Sequence, residues 1–147
     1  MMNLRFFNKF LIIFTLLFST ISTAQEYPIT KKSLIVMFNN IKKNTDWDMS
    51  KPMLWGYFFT DNHKEKLEDL AQILKKNGYD IVDIYLSDKD TPNEPDLWWL
   101  HVEKVEIHTP KSLYNRNIYL YQLAENNNIE SYDGMDVGLV SDVQTTH

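Results

Sequence analysis

Four histidines, His63, His101, His108 and His147, are the side chains of this chain best placed for proton transfer or metal ligation near neutral pH. None has a helical metal spacing such as i, i+4. His101 and His108 are seven residues apart in one stretch, so an unbroken strand points them to opposite faces. The densest acidic run, Asp88 to Asp96, suggests a calcium loop at first sight. Such a loop needs oxygen ligands at alternate positions and a glycine at its sharp turn. Here Pro92 takes the third ligand position and Asn93 the glycine position, so a solvated turn is expected. Asp46 and Asp48 flank Trp47 and read as loop or capping carboxylates. There is no cysteine nucleophile, no Gly-x-Ser-x-Gly elbow and, with four glycines in all, no phosphate loop. No cofactor is expected. An enzymatic reading requires two or more of Asp133, Asp136, His101 and His108 to converge in a pocket.

Tyr132-Asp133-Gly134 is a further candidate, as a catalytic corner, a metal corner or the turn that feeds a last strand. The structural reading is preferred. Gly134 tolerates backbone angles that other residues resist, and Asp133 bonds its own nearby backbone. Tyr132 lays its ring on the core and keeps its hydroxyl wet.

The elements that must position these groups follow from periodicity. Thr30 is an N-cap, and Leu34, Met37, Phe38 and Ile41 mark one face of a first helix. Residues from Met53 to Phe59 form a strongly aromatic strand. Asn62 and Glu65 have capping-box spacing, and Leu67, Leu70, Ala71 and Leu74 carry a second helix that Asn77-Gly78 stops. A second strand runs from Tyr79 to Leu86, and a third from Leu97 to Ile107 with a bulge near Glu103-Lys104. Thr109-Pro110 opens a third helix that turns Leu113, Leu120, Leu123 and Ala124 inward. The last strand spans about Tyr132 to Val140. After the first helix the order is β-α-β-β-α-β, the split pattern of an α+β, ferredoxin-like sandwich: a four-stranded antiparallel sheet with two helices on one face. The extra N-terminal helix is added to it.

Alternation predicts which residues face the helices. In the second strand Val82, Ile84 and Leu86 form the aliphatic side. The same logic turns Leu54, Gly56 and Phe58 inward. It leaves Trp55, Tyr57 and Phe59, with Tyr85, Trp99 and His101, on the other side. These aromatics are candidate partner-binding residues, because exposed rings favour protein contacts. The alternatives are a base-stacking platform for RNA and a face covered by the first helix.

The amino terminus has a positive front, Arg5 and Lys9, then an apolar run from Phe10 to Phe18, then Ser22 and Ala24 as small residues. This is the layout of a signal peptide over residues 1–24. The run of nine residues is short of the roughly 20 that a spanning helix needs. No stable membrane span is therefore expected after cleavage, and the chain is placed in the periplasm or outside the cell. Residues 25–50 then hold the first helix and a linker, 51–140 the sandwich, and 141–147 a tail. Cleavage leaves 13 basic and 20 acidic residues, a net charge of 13 − 20 = −7. That balance argues against nucleic acid, whose phosphates require Lys and Arg, and suits a basic protein partner.

Leu54-Trp-Gly-Tyr-Phe-Phe59, the helix ending Asn77-Gly78-Tyr79, the long Trp-containing strand, the helix with Leu123-Ala124, and Tyr132-Asp133-Gly134 form an ordered set. The set resembles the family of the regulator of ribonuclease E activity B, over roughly residues 50 to 140. Tyr132, Asp133 and Gly134 are its signature. The family has Trp after that motif, where Met135 stands here. The resemblance implies a ferredoxin-like fold and action by protein contact, without catalysis. Ribonuclease E itself works inside the cell. The expectation is an exported, non-enzymatic binding or inhibitor domain with a protein partner. A small exported enzyme using Asp and His, or an RNA-binding domain of similar fold, is the alternative.

Overall fold

The structure is a computed structural model, described here for residues 26–140. The expected signal segment, 1–24, and the tail, 141–147, lie outside the described residues. The elements run α1 (Lys31–Asn44), β1 (Met53–Asp61), α2 (Lys64–Lys76), β2 (Asp80–Leu86), β3 (Trp98–Glu106), α3 (Pro110–Asn126) and β4 (Ser131–Gly138). The strands form one antiparallel sheet in the order β2-β3-β1-β4. This is the expected βαββαβ sandwich with an added N-terminal helix. The two central strands, β1 and β3, are the most aromatic.

Local chemistry sets the helix ends. Thr30 and Thr109 each cap a helix, with Ser33 and Ser112 completing reciprocal capping boxes. Each such cap contributes about 1 kcal/mol. Pro110 sits at the first turn of α3, where its missing N–H costs nothing. Gly78, at φ 80°, ends α2. The capping box expected from Asn62 and Glu65 does not form. Instead the buried Asp61 carboxylate takes the His63 amide at 2.8 Å and the Glu130 amide at 2.9 Å. One side chain thus starts α2 and anchors the entry to β4.

All three helices lie on one side of the sheet. Leu67, Leu70, Ala71 and Leu74 of α2, Leu113, Leu120 and Ala124 of α3, and Leu34 of α1 are buried against it. Leucines of this kind stabilise by about 1.5–3 kcal/mol each on burial.

The orientation expected for β1 is reversed. Trp55, Tyr57 and Phe59 face the helices and are fully buried, each 0 % exposed. The core takes these rings because they remove more apolar surface from water than Leu54, Gly56 and Phe58 would. Phe38 of α1 packs on Trp55, ring centroids 6.2 Å apart, so α1 does cover an aromatic strand, but on the same side as α2 and α3. The irregularity lies in β2. Its register slips between Ile81 and Asp83, so Val82 is the extra residue of a bulge and is 49 % exposed. Ile81 and Ile84, three residues apart, then share the core side. The bulge expected near Glu103-Lys104 is absent, as β3 pairs with β1 without a break.

Candidate functional site

The sheet has a second face on which no described helix packs. Register defines it. β2 contributes Asp80, Asp83 and Tyr85; β3 contributes Trp99, His101, Glu103 and Val105. β1 contributes Leu54, Gly56, Phe58 and Thr60, and β4 contributes Gly134 and Asp136. Three rings form a continuous aromatic end. Tyr85 and Trp99 are directly opposed, with parallel rings 6.3 Å apart, and Trp99 meets Phe58 edge-on at 6.5 Å. His101 stacks on the other side of this cluster, 4.5 Å from the Phe58 ring.

Next to the rings the face turns acidic. His101 Nε2 lies 3.5 Å from Glu103 Oε1 but makes no hydrogen bond and is itself shielded from solvent. The Asp136 carboxylate reaches over Gly56 from the opposite strand. A Cβ at residue 56 would collide with that carboxylate and stand 3.0 Å from His101 Nε2. Glycine is therefore what allows the acid and the imidazole to approach across β1. Asp80 and Glu103 are direct cross-strand partners, a like-charge pairing that opposes folding. No strand position on this face is Lys or Arg.

Of the expected partner-binding residues, Tyr85 and Trp99 are brought together on the open face, while Trp55, Tyr57 and Phe59 belong to the core. The open face also holds Phe58, Gly56, Asp80 and Glu103, which the alternation did not place there. The signal was present in Asp80-Ile-Val-Asp83, where three-residue spacing of the acids marks a break in alternation.

The Tyr-Asp-Gly signature lies inside β4, not in a turn before it. Asp133 is the extra residue of a bulge between the Phe58–Gly134 and Phe59–Tyr132 pairs. Gly134 has φ 122°, a conformation that L side chains rarely adopt. Tyr132 is 4 % exposed, and its hydroxyl is not wet but donates to Asn117 Oδ1 at 2.7 Å. Burial pushes that phenol well above its ordinary pKa. Asn117 in turn donates to the Leu113 carbonyl and contacts Met135 Sδ. Met135 is thus half-buried against the core, paired with Tyr57 of the neighbouring strand.

His108 is on the helix side, buried, with Nε2 3.1 Å from Glu106 Oε2 and Nδ1 3.0 Å from Ser112 Oγ. Glu106 also pairs with Arg116, whose guanidinium donates to the Tyr79 hydroxyl at 2.8 Å. Desolvation holds the His108 imidazole below its usual pKa, although Glu106 pulls the other way. His108 and His101 are therefore on opposite sides of the sheet, and Asp133 is exposed at its edge. Of the four groups of the enzymatic alternative, only His101 and Asp136 share a face, both near Gly56 on the open side of the sheet, and His101 Nε2 makes no hydrogen bond to the exposed Asp136. Among the described residues no group of three or more His, Asp and Glu could hold a metal ion. No described helix is long and apolar enough to cross a membrane.

The class is a small α+β domain with one helix-covered face and one face of rings and carboxylates on which no described helix packs. The chain belongs to the regulator of ribonuclease activity B family, whose family model matches residues 34–137. A search of curated proteins finds no match. The matched stretch opens at Leu34, the buried residue of α1, so most of that helix is part of the family's unit. Proteins of this family are regulators that work through a protein partner and not by catalysis.

Proposed function

We propose that the protein is an exported inhibitor that docks the open face of its sheet onto a ribonuclease or another protein partner outside the cytoplasm. The observation that carries this reading is the open face itself: Phe58, Tyr85 and Trp99 beside Asp80, Asp83, Glu103 and Asp136, uncovered by any described helix. Family membership supports regulation of a ribonuclease. Arg5, Lys9, the apolar run from Phe10 to Phe18 and Ala24 support export. An exported member meets a partner other than the ribonuclease E that works inside the cell. Aromatic anchors ringed by charge suit protein contacts, in which a few large side chains carry most of the affinity.

The test is fractionation of the tagged full-length chain, with amino-terminal sequencing and identification of co-purifying proteins. The expected result is a chain that starts at Gln25, lies outside the cytoplasm and retains a partner that Phe58→Glu releases. An uncleaved cytoplasmic chain overturns export. A partner retained equally by Phe58→Glu overturns the assignment of the open face.

A further inference from the structure

We infer that the open face is specific for arginine, and that its occupant is an arginine-bearing segment of the partner. This rests on the docking reading above and names the chemistry that the face selects. Asp80, Asp83, Glu103 and Asp136 all stand on this face at strand positions without a Lys or Arg among them. Asp80, Asp83 and Asp136 have no basic partner in the described structure, and Glu103 has only His101 at 3.5 Å. The Asp80–Glu103 opposition works against folding. Charge complementarity on such a face favours a cationic occupant.

The rings narrow the cation. Tyr85, 40 % exposed, and Trp99 present parallel planes beside Asp83, and Phe58 and His101 continue the aromatic floor. A guanidinium is planar and weakly hydrated. It stacks on such rings while its N–H fork bonds carboxylates in two places at once. An ammonium is a hydrated point charge and gains less from either. The Asp136 carboxylate, lying over Gly56 from the neighbouring strand, offers a second bonding position next to the stacking one. The negative charge of this surface opposes a phosphate backbone as occupant.

The experiment titrates the purified protein with a fluorescent peptide of alternating Arg and Gly, and with its Lys-for-Arg counterpart. The expected result is binding of the Arg peptide about tenfold tighter than the Lys peptide. Tyr85→Ala and Asp136→Asn should each weaken it roughly threefold to tenfold. Glu103→Gln should weaken it too, while raising the melting temperature of the free protein, which loss of a merely structural group would not do. Equal affinity for the two peptides marks general charge attraction, and unchanged affinity in these variants marks binding elsewhere; either overturns the inference. No binding of the Arg peptide also overturns it. A second copy of the chain on this face would appear as a concentration-dependent dimer that the peptide displaces, and overturns it as well. If Phe58→Glu still releases the co-purifying partner while the Arg peptide fails, docking stands and arginine selection falls. If the partner ignores Phe58→Glu, the docking reading has failed first.

Discussion

Gly56 is the smallest residue with the largest consequence on the open face. Its missing side chain is the space in which the Asp136 carboxylate and His101 Nε2 approach each other. Gly56→Ala places a methyl there, and the short Asp136 side chain can swing outward to accept it. The expected outcome is a protein with an unchanged far-ultraviolet spectrum and near-unchanged melting, but weaker partner retention in the co-purification assay. The Tyr132 hydroxyl is the opposite case, a group with structural work only. Tyr132→Phe leaves Asn117 Oδ1 buried without its donor. A loss of about 1–2 kcal/mol is expected from denaturant unfolding, with partner binding intact because Tyr132 faces the helices. Tyr132 and Phe58 lie on neighbouring strands, and only the direction of the side chain separates a packing role from a surface one. Period-two alternation carries that direction, and it cannot be extrapolated between strands when one of them holds an extra residue.

At the scale of the elements, periodicity and capping residues made α1, α2, α3 and the four strands legible, with ends displaced by a residue or two. Thr30 and Thr109 show why: an N-cap is a local hydrogen bond between neighbours in sequence. Asp61 shows what was not legible. It starts α2 from the end of β1 and simultaneously holds Glu130, 69 residues away, a long-range contact that no local pattern encodes. The Val82 bulge left one local trace, the three-residue spacing of Asp80 and Asp83, but the register it sets is a property of two strands. Asp61 is also a stability switch. Burial alone would raise its pKa, but the His63 and Glu130 amides and Lys66 more than offset that and hold it below the usual carboxylate value. A carboxylate depressed in the folded state stabilises above its unfolded pKa of about 4 and loses that contribution as pH falls through the folded value. His108, depressed by burial, favours the unfolded chain once that chain protonates below about pH 6.5. Acidification should therefore lower the melting temperature in two stages, the first from about pH 6.5 and the second below about pH 4. His108→Gln is expected to remove the first stage and Asp61→Asn to shrink the second, to which Asp48, held low by its hydrogen bonds from Ser50, also contributes, as read by melting curves from pH 8 to 3.

The whole molecule divides into a side that holds it together and a side that weakens it. Buried rings and leucines secure the helix face, whereas the open face carries four carboxylates and no strand-borne cation. Net charge was legible from composition alone. Its concentration on one face was not, because composition has no geometry. A protein under selection for stability alone gains by replacing one member of a like-charged cross-strand pair. The pairing of Asp80 with Glu103 is accounted for by the proposed docking role and not by stability. The two demands should separate under salt. Raised ionic strength screens charges on an exposed face over a distance of about 10 Å at 0.1 M. The free protein should then melt a few degrees higher, as self-repulsion fades. Partner association should slow in the same buffers, since screening removes the attraction that steers a basic surface toward the face. The Asp80→Asn, Asp83→Asn double variant should reproduce both effects at low salt and respond little to added salt. Melting curves and association rates measured across one salt series check this. If salt raises stability but leaves the association rate unchanged, the carboxylates do not steer the partner, and their placement on the open face has no part in docking.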